Sequence, residues 1–109
     1  MVRKGDGEID RVFEALGDRT RRAIVERISD GPVSVSVLAE RLGITLTAVG
    51  QHLAILEACG LAASEKVGRV RICRMAASGL DALEQWVRQH RLEWETRADL
   101  LGRVVEGDK

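Results

Sequence analysis

The feature that most constrains this chain is a connection only three residues long. Two stretches of helical apolar spacing, one using Leu38, Ala39 and Leu42 and the other Leu46, Val49, Leu53 and Leu56, are separated by Gly43-Ile44-Thr45 alone. Gly43 supplies a left-handed stop for the first helix. Thr45 can cap the second, and Ile44 stands where a hydrophobic staple would meet Val49. Helices joined this tightly must cross at a steep angle, which is the geometry of a helix-turn-helix unit.

The flanking segments arrange themselves around that unit. Glu8 to Leu16 reads as a helix with Ile9, Val12, Phe13 and Leu16 on one stripe, ended by Gly17. Asp18 is a good N-cap for a second helix, Arg19 to about Ile28, that buries Ala23, Ile24 and Ile28. Ser29-Asp30-Gly31-Pro32 is a turn, and Val33–Val35 leads into the first helix of the tight pair. The second helix of the pair ends near Cys59, before Gly60. Leu61–Val67 and Val70–Met75 then form a hairpin about Gly68-Arg69.

From Gly79 to about Val105 one long helix is predicted, with Leu80, Leu83, Val87, His90, Trp94, Ala98, Leu101 and Val105 in steps of three and four. Glu84–Arg88, Glu93–Arg97 and Asp99–Arg103 support its exposed face. It would extend roughly 35–40 Å, more than a small domain covers, so its stripe should meet a partner. The expectation is therefore a single domain over 8–105, with tails at 1–7 and 106–109. It is mainly α with a small β-hairpin wing, and the radius of gyration expected of a compact chain this size is about 13 Å.

Composition removes several functions. Of 109 residues, 45% are hydrophobic and 31% charged, which suits one soluble domain. The longest uncharged run, Leu42 to Leu56, is fifteen residues and includes Thr, Gln and His, too short and too polar to span a bilayer. No apolar leader follows Met1, and two cysteines make a poor disulfide framework, so a reducing cytoplasm is the expected setting. Three aromatics, Phe13, Trp86 and Trp94, are too few to stack on single-stranded nucleic acid. Two histidines in different elements, with no phosphate loop and no Ser-His-acid spacing, leave no catalytic residue to assign.

The seventeen bases and seventeen acids cancel, yet unevenly along the chain. Residues 45–74 hold four bases and two acids, and Lys66, Arg69, Arg71 and Arg74 follow one another with no acid between. The outward face of the second tight-pair helix shows Thr47, Gln51, Ala54 and Ala58, with Ile55 beside them, and no charge before Glu57. A solvated helix would carry Lys and Glu there, so the depletion points to close approach of another surface. A major groove about 12 Å wide admits such a helix, and its first turn reaches base edges. The candidate DNA-binding residues are Thr45, Thr47, Gly50, Gln51, His52, Lys66, Arg69 and Arg71. Gln51 would pair with adenine, and the wing arginines would lie along phosphate or in the adjacent minor groove. His52 either donates to a phosphate or edges the helix-turn-helix core. The competing reading is a winged helix for protein contacts, its basic hairpin meeting an acidic partner.

Leu16-Gly17-Asp18-Arg19-Thr20-Arg21-Arg22-Ala23-Ile24-Val25, Leu38-Ala39-Glu40-Arg41-Leu42-Gly43-Ile44-Thr45 and Ala48-Val49-Gly50-Gln51-His52-Leu53, continued to Gly60-Leu61, together resemble the ArsR/SmtB winged-helix repressors. The resemblance covers about residues 9–90. It implies a homodimer that binds double-stranded DNA at an inverted repeat near its own promoter and represses transcription. It further implies a dimer interface formed by the first and last helices, here Val12, Phe13, Leu83, Trp86, Val87, His90, Trp94 and Leu101. Two positions depart from the family pattern: Gly50 stands where Ser is usual, and Ala54 where a base is frequent. The family's metal sites are also missing. Val35-Ser36-Val37 replaces the thiolate pair, and His90 with scattered acids cannot assemble four ligands. No metal and no cofactor are expected, and no effector is identified. Cys59 and Cys73 read as small buried hydrophobes, with redox or thiophile sensing as the other reading, and a separate alternative is a repressor gated by a small ligand at the dimer interface. Arg19, Arg21, Arg22 and Arg27 read mostly as a solvated face.

Overall fold

The structure, a computed structural model, describes residues 6–107, with side chains from 7 to 103. The chain order is α1 (Asp6–Leu16), α2 (Arg19–Ser29), β1 (Val33–Ser34), α3 (Val35–Leu42), α4 (Leu46–Ala58), β2 (Ala62–Val67), β3 (Val70–Met75) and α5 (Ala77–Gly107). Both outer helices reach into the segments expected as tails. The side chain of Val105 lies outside the described residues.

Local chemistry explains the breaks. At Asp18 the carboxylate accepts the Arg21 amide at 2.9 Å and so starts α2. That bond holds the Asp18 carboxyl below its ordinary range. The end of α1 contains no basic residue of its own, and α2 supplies the missing donors. Arg21 donates from Nε to the Ala15 carbonyl at 2.8 Å and from Nη2 to that of Glu14 at 3.1 Å, while Arg22 reaches the Leu16 carbonyl at 2.7 Å. These two arginines hold α1 against α2, and are not simply a solvated face.

The tight connection has the chemistry its residues call for. Gly43 has φ +66°, and the amides of Gly43 and Ile44 donate to Glu40 and Ala39, a Schellman stop. Thr45 then accepts the Ala48 amide at 3.0 Å to open α4. Ile24 and Ile28 of α2 and Leu38 and Ala39 of α3 join Val49, Leu53 and Leu56 of α4 in the core, with Ile9, Val12 and Ala15 of α1. Ala23 is only half-buried. Leu46, expected on the buried stripe of α4, is instead 57% exposed.

The wing is larger than the sequence suggests. Its sheet has three antiparallel strands in the order β1-β3-β2, because Val33 and Ser34 pair with Cys73 and Ile72. Two residues are too few to show a period, so β1 is invisible as a strand before it finds β3. Ser34 also caps α3 by accepting the Val37 amide at 3.2 Å.

Helix α5 begins against the end of α4. There Gly60, at φ +78°, makes a second Schellman stop, its amide donating to Glu57 and that of Leu61 to Leu56. The Gly79 amide then donates to the Gly60 carbonyl at 2.8 Å. A Cβ on Gly79 would stand 2.7 Å from the Cys59 carbonyl oxygen and 2.8 Å from the Gly60 carbonyl carbon. Beyond this anchor α5 leaves the body. The radius of gyration is 19.1 Å and the extents are 70 × 28 × 20 Å, well above the compact expectation of about 13 Å. The 31-residue helix is too long for its own protomer to fold around.

Because the atoms facing Gly79 are backbone, they have little freedom to withdraw. Gly79→Ala should destabilise the fold by about 1–3 kcal/mol, read as a lower urea midpoint, whereas Gly102→Ala, with open space around it, should not.

Candidate nucleic-acid interface

The core side of α4 is fixed by Val49, Leu53 and Leu56, each at most 3% exposed. With that face pinned, Thr45, Leu46, Thr47, Gly50, Gln51, Ala54, Ile55 and Ala58 are all left exposed. Gly50 is informative because nothing lies within 4 Å of where its Cβ would stand. A glycine inside a helix costs about 1 kcal/mol relative to alanine, and the protomer offers no packing reason for it.

His52 does not join that face. Its half-buried ring turns back to α2, with Nδ1 at 3.9 Å from Asp18 Oδ2. Nδ1 is buried with no hydrogen-bond partner. Of the two readings of His52, its position fits the edge of the core, and any contact with DNA would have to come from the opposite ring edge.

The wing divides its four bases between its faces. Glycine-first placement at Gly68 (φ +64°) joins Val67 to Val70 in a two-residue turn that puts Arg69 at the tip. Lys66 stands directly opposite Arg71 in the ladder, on the face shared by Ser64 and the buried Cys73. Arg74, opposite Ala63, belongs to the other face. Like charges placed directly across a ladder repel, so an anion lying between Lys66 and Arg71 would stabilise the pair. Arg71 is further tied to α4, donating from Nε to Ser64 Oγ at 3.0 Å, while Ser64 donates to Glu57 Oε1. This chain links the wing to the last turns of α4.

Of the expected interface residues, Val12 requires correction. It is 1% exposed within its own protomer, so it supports α1 from beneath and presents no surface. Phe13 is at the surface, its ring edge-on to Trp86 with centroids 4.9 Å apart. Trp86 stacks on His90 at 4.0 Å. Leu83 is partly buried against the core, whereas Val87, Trp94 and Leu101 are exposed, Trp94 at 69%.

Cys59 and Cys73 are free thiols. Cys73 is completely buried, and desolvation pushes its thiol up to about 11, with the Glu57 carboxylate adding to the effect. Burial also raises the Cys59 thiol. Neither environment favours the thiolate that a thiol sensor needs. Among the described residues no three His, Cys, Asp or Glu side chains stand together as a metal site, and no helix is long and apolar enough to cross a membrane.

Two packed helices joined by three residues, the second with an open outer face and followed by a basic wing, are the marks of the winged helix-turn-helix class of DNA-binding proteins. Comparison with known proteins agrees. A family described as a helix-turn-helix domain matches residues 16–65. The HTH-type transcriptional regulator Rv2034 of Mycobacterium tuberculosis is 43% identical over 74 residues, which cover 68% of this chain and 69% of that protein. An ArsR-like transcriptional regulator from Rhodococcus sp. RHA1 superposes with a TM-score of 0.84 at 33% identity, over 98% of both chains. The homodimeric winged helix-turn-helix DNA-binding domain of Mb0332 from Mycobacterium bovis gives 0.63 at 29% identity, over 80% of this chain and 83% of that one. The chain belongs to the ArsR family of helix-turn-helix transcriptional regulators. It is a DNA-binding regulator of transcription and not an enzyme.

A thiol held at about 11 is ionised to only about one part in a thousand at pH 8. In the native protein Cys73 should therefore stay unlabelled by iodoacetamide at that pH and become labelled once urea unfolds the chain, as followed by peptide mass spectrometry.

Proposed function

We propose that this regulator acts as a homodimer in the cytoplasm, binding an inverted repeat near its own promoter and repressing transcription from it. The observation that carries the reading is the outer face of α4, open from Thr45 to Ala58 and free of charged side chains. In this reading Thr45, Thr47, Gly50 and Gln51 meet base edges, with Gln51 bidentate to adenine. Lys66, Arg69 and Arg71 hold phosphate, and His52 contributes from the rim. A single copy presents one α4, whereas consecutive major-groove faces repeat every 34 Å or about that distance. Two copies are needed to span the operator.

The exposed stripe of α5 supports the dimer. Val87, Trp94 and Leu101 extend an apolar strip away from the body, continuous with Trp86 and Phe13 where α5 crosses α1. The Mycobacterium bovis relative is itself homodimeric. A second copy supplies matching apolar area, with Val12 beneath it and Leu83 and His90 at its inner end.

Fluorescence anisotropy on duplex DNA from upstream of the chain's own gene, beside a scrambled duplex, tests the proposal. Two chains per site and tighter binding to the upstream sequence are expected. Equal, weak binding to both duplexes would overturn it. Within that assay Gln51→Ala should lose about 1–3 kcal/mol at one base position and relax preference there. Arg69→Ala should instead weaken binding to every sequence and, with one Arg69 lost from each protomer, lower the slope of log affinity against log salt by about two. Trp94→Asp should convert the dimer to monomers by light scattering with the helical circular dichroism retained. An intact dimer would move the interface elsewhere.

A further inference from the structure

At the end of α4 that would enter a groove first, one large apolar side chain is left without cover. Leu46 is the first residue of α4, between Thr45 and Thr47, and is 57% exposed. Helical side chains lean toward the N-terminus, so Leu46, on the first turn, leans past the end of α4. The residue one turn on is Gly50, which has no side chain to cover it and open space around it. Val49, Leu53 and Leu56 share the stripe of Leu46 and are buried further along α4, but at the height of Leu46 the core no longer reaches. The protomer thus gains no core packing from a leucine here, and water contact disfavours it.

A major groove offers one kind of apolar group on its base edges, the C5-methyl of thymine. The first residues of a recognition helix are those that reach base edges. We propose that Leu46 is a specificity-determining residue that packs on a thymine methyl in each half-site. This rests on the DNA-binding reading above and adds to Gln51 a second base that the helix reads, without a hydrogen bond. Gly50 makes room for the approach.

The test begins by selecting the preferred site of the wild-type chain from random duplexes. Each thymine of that site is then replaced singly by deoxyuridine, which removes the methyl and leaves every hydrogen bond of the base pair. At constant salt, one thymine per half-site should show a loss of about fourfold, the equivalent of about 0.8 kcal/mol for one buried methyl-sized group. Leu46→Ala, which removes the leucine from both half-sites, should bind the thymine duplex about as weakly as wild type binds a duplex with uracil at both positions, and should no longer distinguish thymine from uracil at either. Leu46→Met, which keeps the apolar reach, should retain the penalty. Because Leu46 is mostly exposed, both variants should melt close to wild type. Indifference of the wild type to uracil at every position would overturn the role of Leu46 and leave sequence-specific binding intact. So would a Leu46→Ala variant that keeps the full wild-type penalty. Failure of any sequence to enrich would overturn this inference and the DNA reading together.

Discussion

The arrangement of this protein's surface depends first on how α4 is pinned. Val49, Leu53 and Leu56 drive one side of the helix into the core with Ile24, Ile28 and Leu38, and burying three such side chains contributes several kcal/mol at about 1.5–3 kcal/mol each. Backbone geometry fixes the two ends. Gly43 and Thr45 set where α4 begins, and Gly60 sets where it stops. With both ends and one face fixed, the rotation of the helix is fixed, and so is the set of side chains turned to solvent. The same end of α4 carries the Gly60–Gly79 contact from which α5 departs. The exposed face of α4 and the projecting helix α5 are thus referred to one rigid helix.

Charge follows a related logic. The chain is neutral as a whole, but its arginines do different work according to position. Arg21 and Arg22 are spent on the orphan carbonyls of α1. Arg71 is held by Ser64, which is in turn bonded to Glu57 at the end of α4. Among the described residues the Arg69 side chain makes no such bond, and it stands at the tip of the wing. The repulsion between Lys66 and Arg71 is tolerable where an anion can lie between them.

Much of this was legible in the residues. Gly43, Thr45, Gly60 and Asp18 mark boundaries because capping is local chemistry, and the structure uses each as the spacing predicts. The outer face of α4 was equally readable from Thr47, Gln51 and Ala54, since a period of 3.6 assigns sides to a helix of known length. Three features were not legible. Strand β1 is two residues long and exists only through its pairing with β3. Arg21 and Arg22 find their carbonyls only once α1 turns back on α2. Leu46 matched the apolar stripe by angle, yet it sits at the first turn, where the core no longer reaches.

The sequence by itself determined the helices and the hairpin, the tight connection of α3 to α4, the location of the wing and the family, because all of these are written in spacings of a few residues. Only the tertiary structure decided which apolar residues are core and which are surface. Val12 went inside, Leu46 and Trp94 stayed out, and His52 turned toward Asp18. Periodicity reports direction around a helix axis, whereas burial depends on what stands opposite at that height, and that is set by chain segments distant in sequence.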